Sequence, residues 1–290
     1  MRALFFGLGF SAQSSARFMH ESGQFVNTLG TVRTADKANS LADRYHRTLI
    51  FDGKMPGPAV GPALKSGMTH VIMSIAPDAD GDPVLRQHRA DLDAAADLQW
   101  LCYYSTIGVY GDFGGEWIDE RAPLVPRNMR SDLRVLAERQ WRDYAAARGV
   151  PLCILRLAGI YGPGRSTFDK LRQGTARRIV KPGQVFNRIH VADIGRVTGL
   201  AAANRLAGTF NLADDEPAPP QDVIAHAAGM IGMAVPPDLP FDTAEMTPMQ
   251  RSFYRDNKRV SNGAIKQALG IELLYPDYRA GLAQIRDSER

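Results

Sequence analysis

A chain of 290 residues is long enough to bury a large core, either as one large domain or as two unequal lobes. Apolar residues make up 44% and charged residues 23%, as in ordinary soluble enzymes, and Lys+Arg 35 against Asp+Glu 31 leaves a net charge of +4 with the basic residues scattered. That distribution marks no nucleic-acid surface; no apolar run reaches membrane length, and the N-terminal run is too short for a signal peptide.

Ala3 to Phe6 reads as a buried strand, Gly7 and Gly9 as a tight turn, and Ala12, Ala16 and Met19 as one face of a helix. The written pattern is G-x-G-x-x-A. Gly7 would allow the sharp turn, Gly9 would let the backbone approach a pyrophosphate, and Ala12 would keep the helix close to the strand. Phe10 and Ser11 complete the first helical turn, at the positive end where phosphates would sit. Glycine turns also join strands to helices for packing reasons alone, so the motif needs its context.

Gln24 to Arg33 contains a second strand, whose end in a dinucleotide fold faces the adenosine ribose. An acid there would favour NAD. The chain instead has Arg33, with Thr31, Thr34 and Lys37 nearby, a set suited to holding a 2′-phosphate, so NADP(H) is expected in preference to NAD(H). Residues Asn39 to Tyr45 look helical, Thr48 to Phe51 form a third strand, and Gly53 to Pro62 a loop into a short helix. His70 to Pro77 gives a fourth strand whose end, with Ser74 and Ala76, should border the cofactor. Pro83 to Leu98 is the next helix, and Trp100 to Thr106 a fifth strand. Strand and helix alternate throughout this half, which argues a parallel, doubly wound sheet. The two cysteines, Cys102 and Cys153, sit in apolar strand-like runs and read as buried free thiols of a reducing, cytoplasmic compartment; no spacing suggests a metal site.

After Thr106 come Val109-Tyr110-Gly111-Asp112, a helix from about Asn128 to Ala147, the strand Leu152 to Leu157, and Ile160-Tyr161-Gly162-Pro163-Gly164. Arg188-Ile189-His190-Val191-Ala192-Asp193, Gly208-Thr209-Phe210-Asn211-Leu212 and Asn257-Lys258-Arg259-Val260-Ser261 follow. With the glycine turn, these segments resemble the extended short-chain dehydrogenase/reductases, the NAD(P)-dependent epimerase/dehydratase type, over nearly the whole chain. The resemblance implies a Rossmann-type sheet with a smaller C-terminal lobe: residues 1–158 and about 188–213 binding NAD(P), and about 159–187 and 214–290 closing over the nicotinamide. It further implies that Thr106 stands where the family keeps a Ser or Thr that hydrogen-bonds a substrate oxygen. That family commonly dimerises through the helices corresponding to about 83–98 and 128–147, which makes a homodimer an expectation. Leu133, Leu136, Ala137 and Trp141 would supply an apolar face, although burial within one chain explains that face equally well.

One departure stands out. The family carries a Tyr and a Lys four apart on the long helix, the Lys holding the ribose and the Tyr exchanging a proton with substrate. Counting back from Glu138, which matches the acid one turn after that Lys, the two positions hold Arg130 and Arg134, and no lysine occurs between Lys65 and Lys170. A guanidinium is a poor proton shuttle, because it stays charged with a pKa above about 12. Arg134 could still hold cofactor, and Tyr110, Tyr161, Asp112 and His190 are the other groups able to move a proton. Arg165, Lys170, Arg172, Arg177, Arg178 and Lys181 make the second lobe basic, as either a solvated face or a groove for an anionic substrate. Two readings of function stand side by side. One is an oxidoreductase or epimerase acting on a small polar or nucleotide-linked substrate; the other is an NADP(H)-binding sensor or scaffold without turnover.

Overall fold

The computed structural model describes residues 1–41 and 47–289. In chain order the elements are β1 (Arg2–Phe6), α1 (Phe10–Glu21), β2 (Asn27–Val32), α2 (Ala35–Asn39), β3 (Arg47–Ile50), α3 (Val60–Lys65), β4 (His70–Met73), α4 (Pro83–Asp93) and β5 (Trp100–Thr106). They continue with β6 (Trp117–Ile118), α5 (Met129–Arg148), β7 (Leu152–Leu157), β8 (Gly159–Tyr161), α6 (Thr167–Arg172), β9 (Arg178–Val180), β10 (Arg188–His190) and α7 (Val191–Ala203). The last are β11 (Gly208–Leu212), α8 (Pro220–Met230), β12 (Asp238–Pro240), α9 (Pro248–Phe253), β13 (Arg259–Val260), α10 (Gly263–Leu269) and α11 (Tyr278–Ser288). The chain divides into two compact units. The first comprises Met1–Val109, Asn128–Arg156 and Ile194–Phe210, the second Tyr110–Arg127, Leu157–Asp193 and Asn211–Arg290.

The first unit carries a seven-stranded sheet in the order β11-β7-β5-β4-β1-β2-β3. It is the parallel, doubly wound Rossmann-type sheet that the alternation predicts, with β1 pairing in parallel to both β2 and β4. Ala3, Leu4, Phe5 and Phe6 are all fully buried, because a parallel strand covered on both faces needs apolar side chains at every position rather than at alternate ones. The chain leaves β1 towards β2 on one side and returns to β4 on the other, so the sheet's switch point lies beyond Phe6, where such folds bind ligands. Parallel pairing also brings the ends of the strands together: Phe5 lies opposite Gly30, Phe6 opposite Met73, and Met73 opposite Tyr103. Gly7, Arg33 and Ser74, which follow their strands, and Thr106, which ends β5, therefore all lie at the same edge of the sheet.

Three expected boundaries need correction, the first being that of β4, which ends at Met73 rather than Pro77. Of the helix read over Asn39 to Tyr45, residues 42–45 lie outside those described; the described helix is α2, which starts earlier because the Thr34 hydroxyl caps it by accepting the Lys37 amide. Helix α4 ends at Asp93, not Leu98. The amides of Ala95 and Leu98 bond three residues back, forming tight turns that bury both side chains as the chain drops into β5. The second unit has its own core, in which Phe168 and Leu171 of α6 meet Val223 and Ala227 of α8 and Leu282 and Ile285 of α11.

Candidate cofactor and active site

The β1–α1 turn needs its glycines for different reasons. Gly7 has φ +91, in the left-handed region, and a Cβ there would come within 2.9 Å of the Ile75 side chain and 3.3 Å of its amide. Gly9 is the α1 N-cap with φ −83 and ψ −168, open to any residue by backbone, and a Cβ there would meet nothing within 4 Å. No side chain caps α1, so its positive end faces an unobstructed space above Gly9. That is the cradle a pyrophosphate requires, and a Cβ would fill it.

Helix α1 is firmly seated. Ala12 is fully buried, and Ser15 Oγ donates to the Ser11 carbonyl at 3.1 Å. The same Oγ meets Tyr104 OH at 2.6 Å, which in turn meets Thr198 Oγ1 at 2.9 Å. Behind it, α7 lies close enough that a Cβ on Gly195 would sit 2.7 Å from the Ser14 carbonyl oxygen.

At the end of β2, Arg33 is exposed, and no carboxylate pairs with it among the described residues. Thr34 and Lys37 are exposed beside it. Thr31 is not available to a ligand as expected: it is fully buried, and its hydroxyl accepts the Gly7 amide at 2.8 Å. After β4, Ser74 is half-buried with its amide donating to the Phe6 carbonyl at 2.8 Å, while Ala76 is exposed.

The end of β5 and the facing helix α5 form a second constellation. Thr106 is half-buried and its Oγ1 accepts the Gly108 amide at 3.1 Å, which leaves the hydroxyl proton as the group it can offer. Its neighbour Ser105 is buried and donates to Glu138 Oε1 at 2.5 Å. Glu138 is fully buried and takes a two-pronged contact from Arg156, with Nε at 3.1 Å and Nη2 at 2.8 Å, and a further contact from Arg142 at 3.0 Å. Burial alone would raise the Glu138 carboxyl; Arg156, Ser105 and Arg142 outweigh it and hold the group below its usual range.

One turn earlier on α5, Arg134 donates through Nη1 to the Tyr104 carbonyl at 2.6 Å and to Tyr103 OH at 3.1 Å, with its guanidinium carbon 5.6 Å from the Tyr103 ring centroid. Arg130, one further turn back, is exposed. The helix thus presents one guanidinium fixed on the strand and one in solvent, at the two positions that the resemblance matches to the family's Lys and Tyr. Burial pushes the Tyr103 phenol up, so it stays protonated near neutral pH. Sequence reading passed over Tyr103, and it placed Thr31 beside a 2′-phosphate rather than under the glycine turn. A signal for Tyr103 was present: Tyr103 and Ser105, two apart on a strand, face Arg134 and Glu138, four apart on a helix.

The remaining proton-transfer candidates lie in the second unit in supporting roles. Tyr110 is fully buried with its OH donating to Asn211 Oδ1 at 2.7 Å. The Tyr161 ring lies so close over Gly281 that a Cβ there would meet its oxygen at 2.1 Å. Burial lowers His190 to about 4, keeping it neutral at pH 7, packed between the Tyr161 and Tyr275 rings. Burial would raise Asp112, but the Asn257 and Gly114 amides and Arg127 more than offset it. Of the basic side chains, Arg172 pairs with Glu289 at 2.5 Å and Arg178 with Asp238 at 2.7 Å, while Arg177 and Lys181 donate to the carbonyls of Glu245 and Tyr254.

A sheet with this strand order and an uncapped helix over a glycine turn at its switch point defines a Rossmann-type dinucleotide-binding fold. Comparison with known proteins agrees. The sequence model of the NAD dependent epimerase/dehydratase family matches residues 89–213. A functionally unknown conserved protein from Silicibacter pomeroyi DSS is 44% identical, over 99% of this chain and 98% of its own, with a TM-score of 0.89. UDP-glucuronic acid 4-epimerase from Bacillus cereus, solved in complex with NAD, shares the fold at a TM-score of 0.74 with 15% identity, covering 100% of both chains. Among curated proteins, a 3-diazoavenalumate denitrifying reductase from Streptomyces is 25% identical over 214 residues, 68% of each chain. Residues 89–213 thus carry the sequence pattern of the NAD dependent epimerase/dehydratase family, on a fold that the solved structures share over the whole chain.

Proposed function

We propose that this protein is an NADP(H)-dependent oxidoreductase that acts on a small polar, anionic substrate and works without a tyrosine–lysine proton relay. The observation that carries the cofactor preference is Arg33, exposed and without a carboxylate partner among the described residues, at the same sheet edge as the glycine turn. Its guanidinium is free to take a 2′-phosphate by charge-assisted hydrogen bonds. When bound, the nicotinamide supplies or accepts a hydride. The chain's own residues would then act as follows: the turn from Gly7 to Ala12 holds the phosphates, Ser74 and Ala76 border the cofactor, Arg134 fixes it from α5, and Thr106 offers its hydroxyl proton to the reacting oxygen. The reductase name of the Streptomyces relative favours net reduction over epimerisation.

A second reading, an NADP(H) sensor without turnover, is favoured by one observation: Arg134 is tied to β5 and Arg130 faces solvent, so neither replaces the absent phenol. Calorimetric titration of NADPH and NADH, followed by a carbonyl-substrate screen with NADPH deuterated at C4, separates the readings. Binding of NADPH at least tenfold tighter than NADH, lost in Arg33→Ala, is expected from a contact of about 1.5 to 3 kcal/mol. Equal affinities would overturn the cofactor assignment, and tight binding without deuterium transfer to any substrate would favour the sensor.

A further inference from the structure

The expected partner of a 2′-phosphate, Thr31, turns inward instead, and what it touches gives β2 a second role. Its hydroxyl oxygen accepts the Gly7 amide at 2.8 Å and its carbonyl accepts the Leu8 amide at 2.8 Å, so the first two N–H groups of the glycine turn are bound to a single residue. The preceding residue completes the seat. Gly30 lies opposite Phe5 in the sheet, and a Cβ on it would come within 2.9 Å of both Leu8 methyl carbons, so only glycine lets the buried Leu8 side chain fold across the strand. From the other side Ile75 crowds Gly7.

We propose that Thr31 is a positioning residue for the cofactor's phosphates. It touches no ligand. By taking the Gly7 and Leu8 amides it fixes the peptide planes of the turn, and so the direction of the α1 amides that follow Gly9, before any dinucleotide arrives. Pre-orientation of this kind raises affinity because the ordering of the loop is complete in the free protein. The proposal rests on the reading of this turn as a dinucleotide site. It separates two functions three residues apart: Gly30 and Thr31 set the phosphate loop, which NAD(H) and NADP(H) share, and Arg33 chooses between them.

That separation makes the test specific. Calorimetric constants for NADPH and NADH are compared in the unsubstituted protein, Thr31→Val, Thr31→Ser and Arg33→Ala. Valine keeps the shape and removes the acceptor, leaving the Gly7 amide unpaired, and is expected to weaken both cofactors by the same factor, roughly tenfold, with their ratio unchanged. Serine restores the acceptor and should bind within about twofold of the unsubstituted protein. Folded Thr31→Val with unaltered constants, or Thr31→Ser as impaired as Thr31→Val, overturns the proposal while leaving the functional reading intact. Absence of any dinucleotide binding by the unsubstituted protein overturns both. Should Thr31→Val not fold, amide exchange in the unsubstituted protein gives the answer. The Gly7 amide should be protected with and without NADP(H), whereas those of Ser11 and Ala12 should gain protection only with it; a Gly7 amide that becomes protected only on binding refutes the positioning role.

Discussion

Replacing Glu138 by Ala tests whether the buried charge cluster behind Thr106 holds the first unit together. Glu138 is fully buried, and Arg156, 3% exposed, meets it through two hydrogen bonds. Removing the carboxylate strands a guanidinium in the core, and breaking a buried pair from one side costs about 3 to 5 kcal/mol. At roughly 2 to 4 °C per kcal/mol for a domain of this size, Tm should fall by about 6 to 20 °C. Arg142→Ala is the control: that side chain is 43% exposed, so its loss should cost under about 1 kcal/mol. The pH dependence has a definite sign. Glu138 is held below the 4.5 of an unperturbed glutamate, so its contribution is complete above pH 4.5 and fades as the pH falls through the depressed folded value, where Glu138→Ala should converge on the unsubstituted protein. Guanidinium titrations followed by circular dichroism from pH 3 to 8 measure all three quantities. A Glu138→Ala cost no larger than that of Arg142→Ala would refute the cluster's role.

Further expectations follow from the close approach of α7 to α1, from a buried acid and from an exposed leucine. Gly195→Ala pushes a methyl against the Ser14 carbonyl oxygen, 2.7 Å away, and because backbone must yield it should cost about 1 to 3 kcal/mol in urea denaturation and weaken dinucleotide binding by shifting α1; an unchanged midpoint would refute it. Asp214, 1% exposed, is pushed by burial to about 8 against the opposing charge of Arg188. Its folded pKa exceeds the unfolded 3.8, so the associated stability is complete below about pH 4 and is lost as the pH rises through 8; Asp214→Asn should flatten that slope, and parallel pH profiles would refute it. We propose a homodimer through the exposed faces of α4 and α5, with Leu136, 40% exposed, in the contact; light scattering should show Leu136→Asp as a monomer, and a monomeric unsubstituted protein removes the idea.

What the sequence disclosed followed its local periods. The run Ala3 to Phe6, the two glycines and the helical spacing of Ala12 and Ala16 sit within one continuous segment, and the fold preserves them as read. Counting from Glu138 was equally local, since residues four apart on one helix share a face, and it placed Arg134 towards β5. What remained hidden depended on partners distant in the chain. Thr31 is a strand residue with a hydroxyl, and only the pairing of β2 with β1 brings Gly7, 24 positions away, to that hydroxyl. Ala137 and Trp141 read as one apolar face with Leu136; burial takes the first two into the unit's own core and leaves Leu136 partly exposed.

The two arginines on α5 bear differently on chemistry. A catalytic phenol works by cycling between protonated and ionised states, which needs a nearby cation to lower its pKa and access to the substrate oxygen. Beside β5 the cation is present, in Arg134, and the phenol that it meets is the buried one of Tyr103. Arg134 contacts Tyr103, but that hydroxyl is buried and its pKa is raised, so the pair acts as a strut between α5 and β5. Lysine at the same place would carry one compact charge; arginine offers several N–H groups in a fixed plane, and its Nη1 alone makes both strand contacts. Nη2 and Nε remain for a ribose or phosphate oxygen. Cofactor anchoring can therefore survive the exchange of lysine for arginine, whereas proton transfer from the Arg130 position cannot.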